Sequence, residues 1–369
     1  MSKRSRVIAM VQLPPPMHGA AKMNLHAIAA LAKAFDLHVI EMRFARNLAD
    51  ITRPTIKKLL IALLLAVRLC FALPRSQALY ISFAPCGAAY YRDCLYVLLA
   101  KLFRVPAILH LHGRGLPLMR RSPVKFWLQK RVFAKQTVVL LGEILRPEIT
   151  GLDCNVVIIA NCLDEDAFAA PINPDWQPET PLRILWLSNL FRAKGLETLL
   201  AACQRLKDLG FAFDLTIAGA EGDIRKAELE ALITGYGINS NTRYIGAVRA
   251  EDRRKLFDQS DLFVFPTNYT NEAQPLVVLE AMAAGVPVIT TSIATLPEFV
   301  LPDQTGWLCP PNDPDKLALT MIEATRHPAN TNKLRHQARL MCETRFAHAR
   351  FTDEIGKTVS AVLTQSSSQ

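Results

Sequence analysis

The sequence has 369 residues but no CxxC pair and no histidine spacing typical of a zinc site. Its eight cysteines are scattered, which favours small buried side chains in a reducing compartment over a disulfide framework. It also lacks a cluster of side chains that would hold a divalent metal ion for phosphate chemistry. We therefore expect neither a metal ion nor a cofactor, and a disulfide-stabilised secreted protein is excluded.

A hydrophobic run long enough to cross a membrane is also missing. In the segment KKLLIALLLAVRLCFALPR, residues 57–75, the uninterrupted apolar run covers only residues 59–67 and ends at Arg68. A transmembrane helix needs about 20 apolar residues. We interpret the segment as a helix packed in the fold, with one face against lipid as the less favoured alternative.

The N-terminal sequence MSKRSRVIAMVQL does not have the pattern of a signal peptide. Its apolar stretch is short, Gln12 breaks it, and PPP follows in place of a small-residue cleavage site. The stretch is predicted to form the first β-strand. We expect a cytoplasmic protein, with peripheral attachment to the cytoplasmic face of the membrane as a further option.

Acidic residues are scarce in the first half of the chain. The formal charge is +13 up to Ala170 and −3 over the remainder. Residues 114–135 hold seven basic residues and no acid, interleaved with Phe126, Trp127 and Phe133. This composition suits an anionic membrane surface, and an ordinary solvated helix explains it equally well. No nucleic-acid-binding motif accompanies the charge, so we expect no nucleic acid partner.

Short β-branched runs alternate with helical stretches along the whole chain. This alternation predicts an α/β fold in which parallel sheets are covered by helices on both faces. Six runs lie in each half, and the pattern indicates two doubly wound domains. The runs are RVIAMVQ, HVIEMR, ALYISF, AILHLHG, TVVLLG, VVIIA, RILWLSN, FDLTIAG, TRYIGAV, DLFVFPT, VPVITT and GWLCP.

The predicted domain limits follow from this pattern. Residues 1–170 form the first domain and residues 183–345 the second. Residues 171–182, with four prolines, cannot continue a helix or a central strand and are predicted to be a linker. Residues 346–369 are predicted to form a C-terminal helix that returns to the first domain, with a disordered Ser/Gln tail from Thr364. Ligands bind beyond the carboxyl ends of such strands, so the expected site is the cleft between the domains.

One stretch after a predicted strand has the features of a binding loop. The sequence NEAQPLVVLEAMAAGVPVIT covers residues 271–290 and joins a polar loop to a helix. Pro275 suits the first helical turn and Gly285 suits its end.

Two glutamates and three backbone amides of this stretch are candidate ligand-binding groups. Glu272 lies just before the helix and Glu280 lies in its second turn. The amides of Ala273, Gln274 and Leu276 are expected to face an anion, because the start of a helix leaves unpaired donors with partial positive charge. The arrangement fits a diphosphate with a sugar at each end, and each glutamate would bind one of the sugars.

These residues also resemble a known family. EAQPLVVLE is similar to the E-x7-E motif of retaining glycosyltransferases of the GT-B fold, and PLVVLEAMAAGVPVI resembles the form typical of glycosyltransferase family 4. The resemblance extends over nearly the whole chain. It includes WLSNLFRAKGLETLLAA, TIAGAEGD, RYIGAVRAEDRRKLFDQSDLFVFPT, QLPPPMHGAAK and LHLHG. It implies an acceptor-side first domain and a second domain that binds a nucleotide sugar.

The resemblance also implies residue roles in the second domain. Glu280 is expected to bind the ribose of the nucleotide, and Glu272 to contact the donor sugar near the reacting carbon. Lys194 is expected to neutralise the departing diphosphate. Most members of the family have an arginine five positions before that lysine, where this chain has Asn189. Arg192 is the candidate to supply the missing charge.

Three further positions complete the predicted site. His112 ends a predicted strand beside a glycine and resembles the histidine that contacts the donor sugar; a purely structural histidine is the alternative. Gly19 would let the backbone of the first loop approach a phosphate, or would simply form a tight turn. Gly219 lies in the loop TIAGAEGD, which resembles the next phosphate-side loop.

The expected function is metal-independent, retaining transfer of a hexosyl group to an acceptor hydroxyl. The donor is a nucleotide diphosphate sugar, with a UDP-sugar favoured over a GDP-sugar. The acceptor is a saccharide or a lipid-linked molecule in the assembly of exopolysaccharide or lipopolysaccharide for the cell envelope. A non-catalytic scaffold of the same fold and a nucleotide-sugar epimerase are the alternatives.

Overall fold

The structure is a computed structural model that describes residues 4–15, 17–44 and 55–367. The chain divides into two compact units. Unit 1 consists of Met1–Cys162 together with His348–Gln369, and unit 2 is Leu163–Ala347.

Unit 1 is built on a six-stranded parallel sheet with the strand order β2-β1-β3-β4-β5-β6. Its strands are β1 (Arg6–Val11), β2 (Asp36–Glu41), β3 (Ala78–Phe83), β4 (Ala107–Leu111), β5 (Gln136–Leu140) and β6 (Cys154–Ile158). Its helices are α1 (Gly19–Ala34), α2 (Ile56–Ala72), α3 (Gly87–Leu102), α4 (Pro123–Phe133) and the C-terminal α11 (His348–Ser367). Because parallel connections are right-handed, α1 covers one face of the sheet and α2, α3 and α4 cover the other.

Unit 2 repeats this plan with the strand order β12-β11-β10-β7-β8-β9. Its strands are β7 (Leu182–Leu187), β8 (Phe213–Ala218), β9 (Thr242–Tyr244), β10 (Leu262–Phe265), β11 (Val288–Thr291) and β12 (Trp307–Cys309). Its helices are α5 (Leu196–Asp208), α6 (Lys226–Gly235), α7 (Ala250–Asp258), α8 (Leu276–Ala284), α9 (Pro314–Arg326) and α10 (Pro328–Arg345).

The predicted fold class is therefore confirmed. Each of the twelve predicted apolar runs contains or overlaps a strand. β4, β5, β10 and β11 are buried along their whole length, because helices cover both faces of each sheet. The strand order reverses between β1 and β3 in unit 1 and between β7 and β10 in unit 2. At such a switch point, neighbouring loops diverge and leave a crevice at the carboxyl ends of the strands.

The predicted linker differs from the structure. Residues 171–182 belong to unit 2, and the first unit ends at Cys162 rather than at residue 170. The Asn332 side-chain amide donates a hydrogen bond of 3.0 Å to the Trp176 carbonyl, and Trp176 is buried. Prolines exclude helix and central strand here, as predicted, but they do not prevent an irregular segment from packing.

The predicted disorder of the C-terminus from Thr364 is also wrong in part, since α11 continues to Ser367. The final two residues lie outside the described part of the chain. Helix α11 packs against α1 within unit 1, where the rings of His26 and His348 are 4.9 Å apart between centroids.

The apolar segment at residues 57–75 departs most clearly from its interpretation as a packed helix. Most of it forms α2, but only Leu65, Ala66 and Leu69 of this helix are buried. The long apolar side chains on the opposite side are exposed, with Ile56 and Phe71 both 80% exposed. Across residues 4–15, 17–44 and 55–367, no helix is long and apolar enough to cross a membrane.

The close packing of the Ile172 side chain on Gly285 in unit 2 predicts a large effect of one glycine substitution. Gly285 ends α8 at a φ of +72°, and a Cβ added there would lie 1.7 Å from Cγ2 of Ile172. We expect Gly285→Ala to lower the free energy of unfolding by about 2–4 kcal/mol, through left-handed strain and overpacking. Gly235→Ala is the control, because a Cβ there meets no atom within 4 Å. Urea denaturation followed by circular dichroism measures both, and equal stability of the two variants would contradict this account.

Candidate functional site

The loops that follow β7 and β8 are held together at Gly219. This residue has a φ of +147°, and a Cβ there would lie 1.7 Å from the Ser188 carbonyl oxygen. Its amide donates to the Gly246 carbonyl at 2.7 Å, and its own carbonyl accepts from the Tyr244 hydroxyl at 2.8 Å. Only glycine fits this position. Loop packing therefore explains why position 219 is a glycine. Contact between Gly219 and a nucleotide-sugar donor stays a prediction.

A second close approach joins the loop after β7 to the loop after β10. Gly195 has a φ of +78°, and a Cβ there would lie 1.9 Å from the Pro266 carbonyl oxygen. The Asn268 amide donates to the Ala193 carbonyl at 2.9 Å, and the Thr267 hydroxyl donates to the same carbonyl at 3.3 Å. The residue between these two contacts, Lys194, is therefore fixed at the switch point of the sheet.

Lys194 forms an ion pair with Glu272. The ammonium nitrogen donates to a carboxylate oxygen, and the side chains are only 16% and 11% exposed. The same nitrogen lies 4.7 Å from the centroid of the Tyr269 ring and 5.7 Å from that of Phe265. Aromatic faces attract a cation and hold it in place. The structure thus brings together two residues that the sequence had singled out separately.

Glu280 forms the second ion pair of this region. It is the one charged residue of α8, whose other side chains are apolar. Arg253 of α7 contacts both carboxylate oxygens of Glu280 through Nη1, at 3.2 and 3.4 Å. Sequence reasoning missed Arg253, which lies beside Arg254 in an ordinary amphipathic pattern. Only the packing of α7 against α8 distinguishes the two arginines.

The start of α8 is more enclosed than the sequence indicated. Pro275 precedes the helix as its N-cap and does not lie in the first turn. The Ala273 carbonyl accepts from the amide and the hydroxyl of Thr295, at 3.1 and 2.6 Å. Ala273 and Gln274 are buried and Leu276 is half-buried. The backbone amides predicted to face an anion therefore lie in a segment that burial and these hydrogen bonds hold in place.

Arg192 does not lie with the Lys194 pair. Its guanidinium contacts the carboxylates of Glu197 and Glu228, and its amide donates to Asp223 at 2.9 Å. Asn189 accepts a hydrogen bond of 3.3 Å from the Ala220 amide through its side-chain oxygen. The charge missing at Asn189 is therefore not supplied by Arg192 in this arrangement.

His112 and Gly19 lie in unit 1. His112 follows β4 with its ring 4.0 Å from that of His110, between centroids, and neither of its ring nitrogens has a hydrogen-bond partner among the described residues. Burial, and secondly the nearby His18, lower the pKa of His112 to about 3. The imidazole is therefore neutral at physiological pH. A neutral imidazole can donate to or accept from a hydroxyl.

His110, by contrast, is a structural residue. It is fully buried, and its Nδ1 lies 2.5 Å from the Tyr80 hydroxyl of the neighbouring strand. Burial, and secondly His112, lower the pKa of His110 well below its ordinary value. The two histidines at the end of β4 therefore differ. His110 is hydrogen-bonded to Tyr80, whereas the ring nitrogens of His112 have no partner among the described residues.

Gly19 begins α1 directly after the β1 loop. His18 caps this helix, with Nδ1 accepting from the Ala21 amide at 3.3 Å. The Asn24 side chain donates to the Gln12 carbonyl at 2.8 Å and holds the loop against the helix. The start of α1 has the geometry of a helix N-terminus after a parallel strand, which is where phosphate groups bind in such sheets.

In the part of the chain that the structure describes, no group of three or more His, Cys, Asp or Glu side chains is placed to hold a metal ion.

Comparison with solved structures defines the class of fold. Sucrose-phosphate synthase from Thermosynechococcus elongatus superposes with a TM-score of 0.75 over 98% of this chain and 100% of that chain, at 16% identity. Anabaena HepE in complex with UDP gives a TM-score of 0.74 over 97% and 100%, at 17% identity. The two six-stranded doubly wound sheets are the two Rossmann-like domains of the GT-B fold.

Comparison of sequences points to one family for part of the chain. Residues 172–341, which lie within unit 2, match the family Glycosyl transferases group 1. The amylovoran biosynthesis glycosyltransferase AmsK of Erwinia amylovora is 31% identical over 170 residues, which are 45% of this chain. The match spans 41% of that relative, less than half of its length.

The low pKa of His112 predicts a pH-dependent stability. Between its folded value of about 3 and the ordinary 6.5, the unfolded state binds more protons, so the free energy of unfolding falls as the pH falls. From pH 7 to pH 5 we expect the wild type to lose roughly 1–2 kcal/mol more than His112→Gln. Urea denaturation at both pH values measures this difference. The exposed His327→Gln variant should follow the wild type, and the same behaviour of His112→Gln would contradict the prediction.

Proposed function

We propose that the chain is a retaining glycosyltransferase of family 4, which moves a hexosyl group from a nucleotide diphosphate sugar to an acceptor hydroxyl. The observation that carries the proposal is the Lys194–Glu272 ion pair at the switch point of unit 2, directly before the helix that bears Glu280. A cation, a carboxylate and a second carboxylate on one rigid loop and helix suit a diphosphate flanked by two sugars.

Lys194 is proposed to stabilise the departing diphosphate. An ammonium group has three N–H donors, and Glu272 accepts from the group without using all of them. The low exposure of the pair keeps water from screening the charge. Negative charge that builds on the leaving phosphate is then met by a donor already in position, which is the usual source of transition-state stabilisation.

Glu272 is proposed to bind a hydroxyl of the donor sugar. Its carboxylate already accepts from the Lys194 ammonium, and the proposal gives Glu272 no role as a general base. This fits a retaining reaction in which the acceptor attacks from the side of the leaving group and a phosphate oxygen takes its proton. Lys194 supplies positive charge to the phosphates, and metal-independent transfer is part of the proposal. His112 is proposed to hydrogen-bond a sugar hydroxyl as a neutral imidazole.

Glu280 is proposed to bind the ribose, with Arg253 orienting it. The two contacts from Arg253 orient the carboxylate, whose oxygens are the acceptors to which ribose hydroxyls would donate. A UDP-sugar is the favoured donor, in line with the UDP bound by HepE, a protein of the same fold, and a GDP-sugar is the alternative.

A saccharide or lipid-linked acceptor in polysaccharide assembly is the proposed second substrate. The support is the similarity to AmsK, which acts in amylovoran biosynthesis, and the excess of basic residues in the first half of the chain. The proposed role is in exopolysaccharide or lipopolysaccharide assembly on the cytoplasmic side of the membrane.

Donor binding tests the proposal directly. UDP-, GDP- and ADP-sugars are titrated by calorimetry into the wild type, without added metal. We expect one nucleotide to bind and Glu280→Gln to weaken it by about tenfold or more, because a charged acceptor of hydrogen bonds is lost. Glu228→Gln is the matched control, since it also removes a carboxylate paired with an arginine. Binding that Glu280→Gln leaves unchanged would contradict the proposed role of Glu280.

Measurements of turnover distinguish the roles of Lys194 and Arg192, the two basic residues of the loop after β7. We expect Lys194→Met to lower kcat by about 100-fold to 1,000-fold, the usual loss for one electrostatic donor in an active site. Arg192→Met should change kcat by less than about threefold, because Arg192 is exposed and paired with two glutamates. Release of nucleotide diphosphate measures both. An equal loss in the two variants would show that Arg192 acts on the phosphates.

A further inference from the structure

Helix α2 of unit 1 presents a continuous apolar surface to solvent. Its main exposed apolar side chains recur at helical spacing and span roughly 100° of the circumference at 3.6 residues per turn. They lie opposite the three residues that pack the helix against the unit. The main ones are Ile56, Leu60, Leu63, Leu64, Val67 and Phe71.

Neighbouring helices extend this surface. Helix α3 packs against both α2 and α4, on the same face of the sheet. It adds Leu95, and α4 adds Val124 and Trp127, of which Trp127 is 63% exposed. An exposed tryptophan on the same layer of helices as exposed long aliphatic side chains is typical of a surface that enters the interface of a lipid bilayer. We call this surface the α2–α4 face.

The charge of the α2–α4 face has one sign. Residues 55–142 contain 14 Lys and Arg residues and a single acid, Asp93. Asp93 is fully buried, where it pairs with Arg92 and accepts from the Ala84 amide. Residues 55–142, which contain α2, α3 and α4, therefore present no carboxylate to solvent. Exposed basic residues border the apolar side chains, namely Lys57, Arg68, Arg75, Lys125, Lys130 and Arg131.

We propose that the α2–α4 face docks on an anionic lipid surface, with α2 lying in the plane of the interface. The helix has 17 residues, or about 25 Å at 1.5 Å per residue, and carries Lys57, Lys58 and Arg68. It is too short and too charged to span the hydrocarbon layer. Its apolar side chains enter the boundary of the acyl chains, while the bordering basic residues contact lipid phosphates.

Charge favours lipid over a second copy of this chain. In a symmetric dimer through this face, each basic residue would approach the same patch of basic residues on the partner. With no exposed carboxylate among residues 55–142 to neutralise it, that contact would be repulsive. An anionic bilayer satisfies the apolar and the basic parts together. The inference goes beyond the proposed function and does not depend on catalysis or on the donor.

Sedimentation with vesicles tests the proposal on the full chain. Vesicles of phosphatidylcholine with phosphatidylglycerol are compared with vesicles of phosphatidylcholine alone. We expect the wild type to bind only the anionic vesicles, and less strongly as salt is raised. Leu60→Glu combined with Leu64→Glu should weaken binding by about tenfold or more. Leu319→Glu with Leu340→Glu is the matched control, because it exchanges two similarly exposed leucines of unit 2 for the same charge.

A second pair of variants keeps the test valid if the α2 variant fails to fold by circular dichroism. Lys125→Glu with Arg131→Glu should also weaken binding to anionic vesicles, and Lys226→Glu with Lys255→Glu in unit 2 should not. Absence of wild-type binding, or an equal loss in the controls, would overturn the proposal. So would a dimer in lipid-free buffer that the α2 variant dissociates, which would assign the face to a second copy. Donor binding measured separately distinguishes any of these results from failure of the proposed function.

Discussion

The candidate site in unit 2 depends on one close approach of two backbones, between Gly195 and the carbonyl of Pro266. At the switch point, the loops after β7 and β10 are expected to diverge. The glycine and the hydrogen bonds to the Ala193 carbonyl pull them together instead. Lys194 then meets Glu272 beside the Tyr269 ring, although the two are far apart in sequence. Any larger residue at position 195 would separate the cation from the carboxylate, so the chemistry of the site rests on this contact.

Helix α8 begins just after Glu272 and carries Glu280. Because most of this helix is buried, a carboxylate on it indicates a partner or a ligand. A helix surrounded by packed elements tolerates a carboxylate only where a partner or ligand compensates for the loss of water. Arg253 gives partial compensation in the structure. Unit 1 shows the opposite arrangement on α2, where apolar side chains are left in water and basic residues surround them. Unit 2 holds charged side chains at low exposure, whereas unit 1 exposes apolar side chains to solvent.

The α/β fold was predictable from the sequence, because a short continuous apolar run is typical of a strand that helices cover on both faces. The E-x7-E stretch could be singled out as a candidate site for a similar reason, since a strand, a polar loop and a helix start are all local features. The ion-pair partners of Arg192 and Arg253 were not predictable from the sequence. The sequence placed Arg192 near the phosphates, but its guanidinium binds Glu197 and Glu228. No sequence pattern singled out Arg253, because its partner Glu280 lies on another helix. Side-chain pairing across elements is decided by packing, which a linear pattern does not encode.

The sequence by itself determined the two doubly wound sheets, the location of the candidate residues at strand ends and helix starts, and the basic character of the first half. Periodicity and local composition are enough for these, since each depends on residues close together in the chain. Tertiary structure alone decided which charges meet, that the proline-rich segment packs into unit 2, and that the apolar side of α2 faces solvent. An apolar stripe signals that a surface must be covered, and the sequence does not say whether the cover is the protein's own core or something outside it.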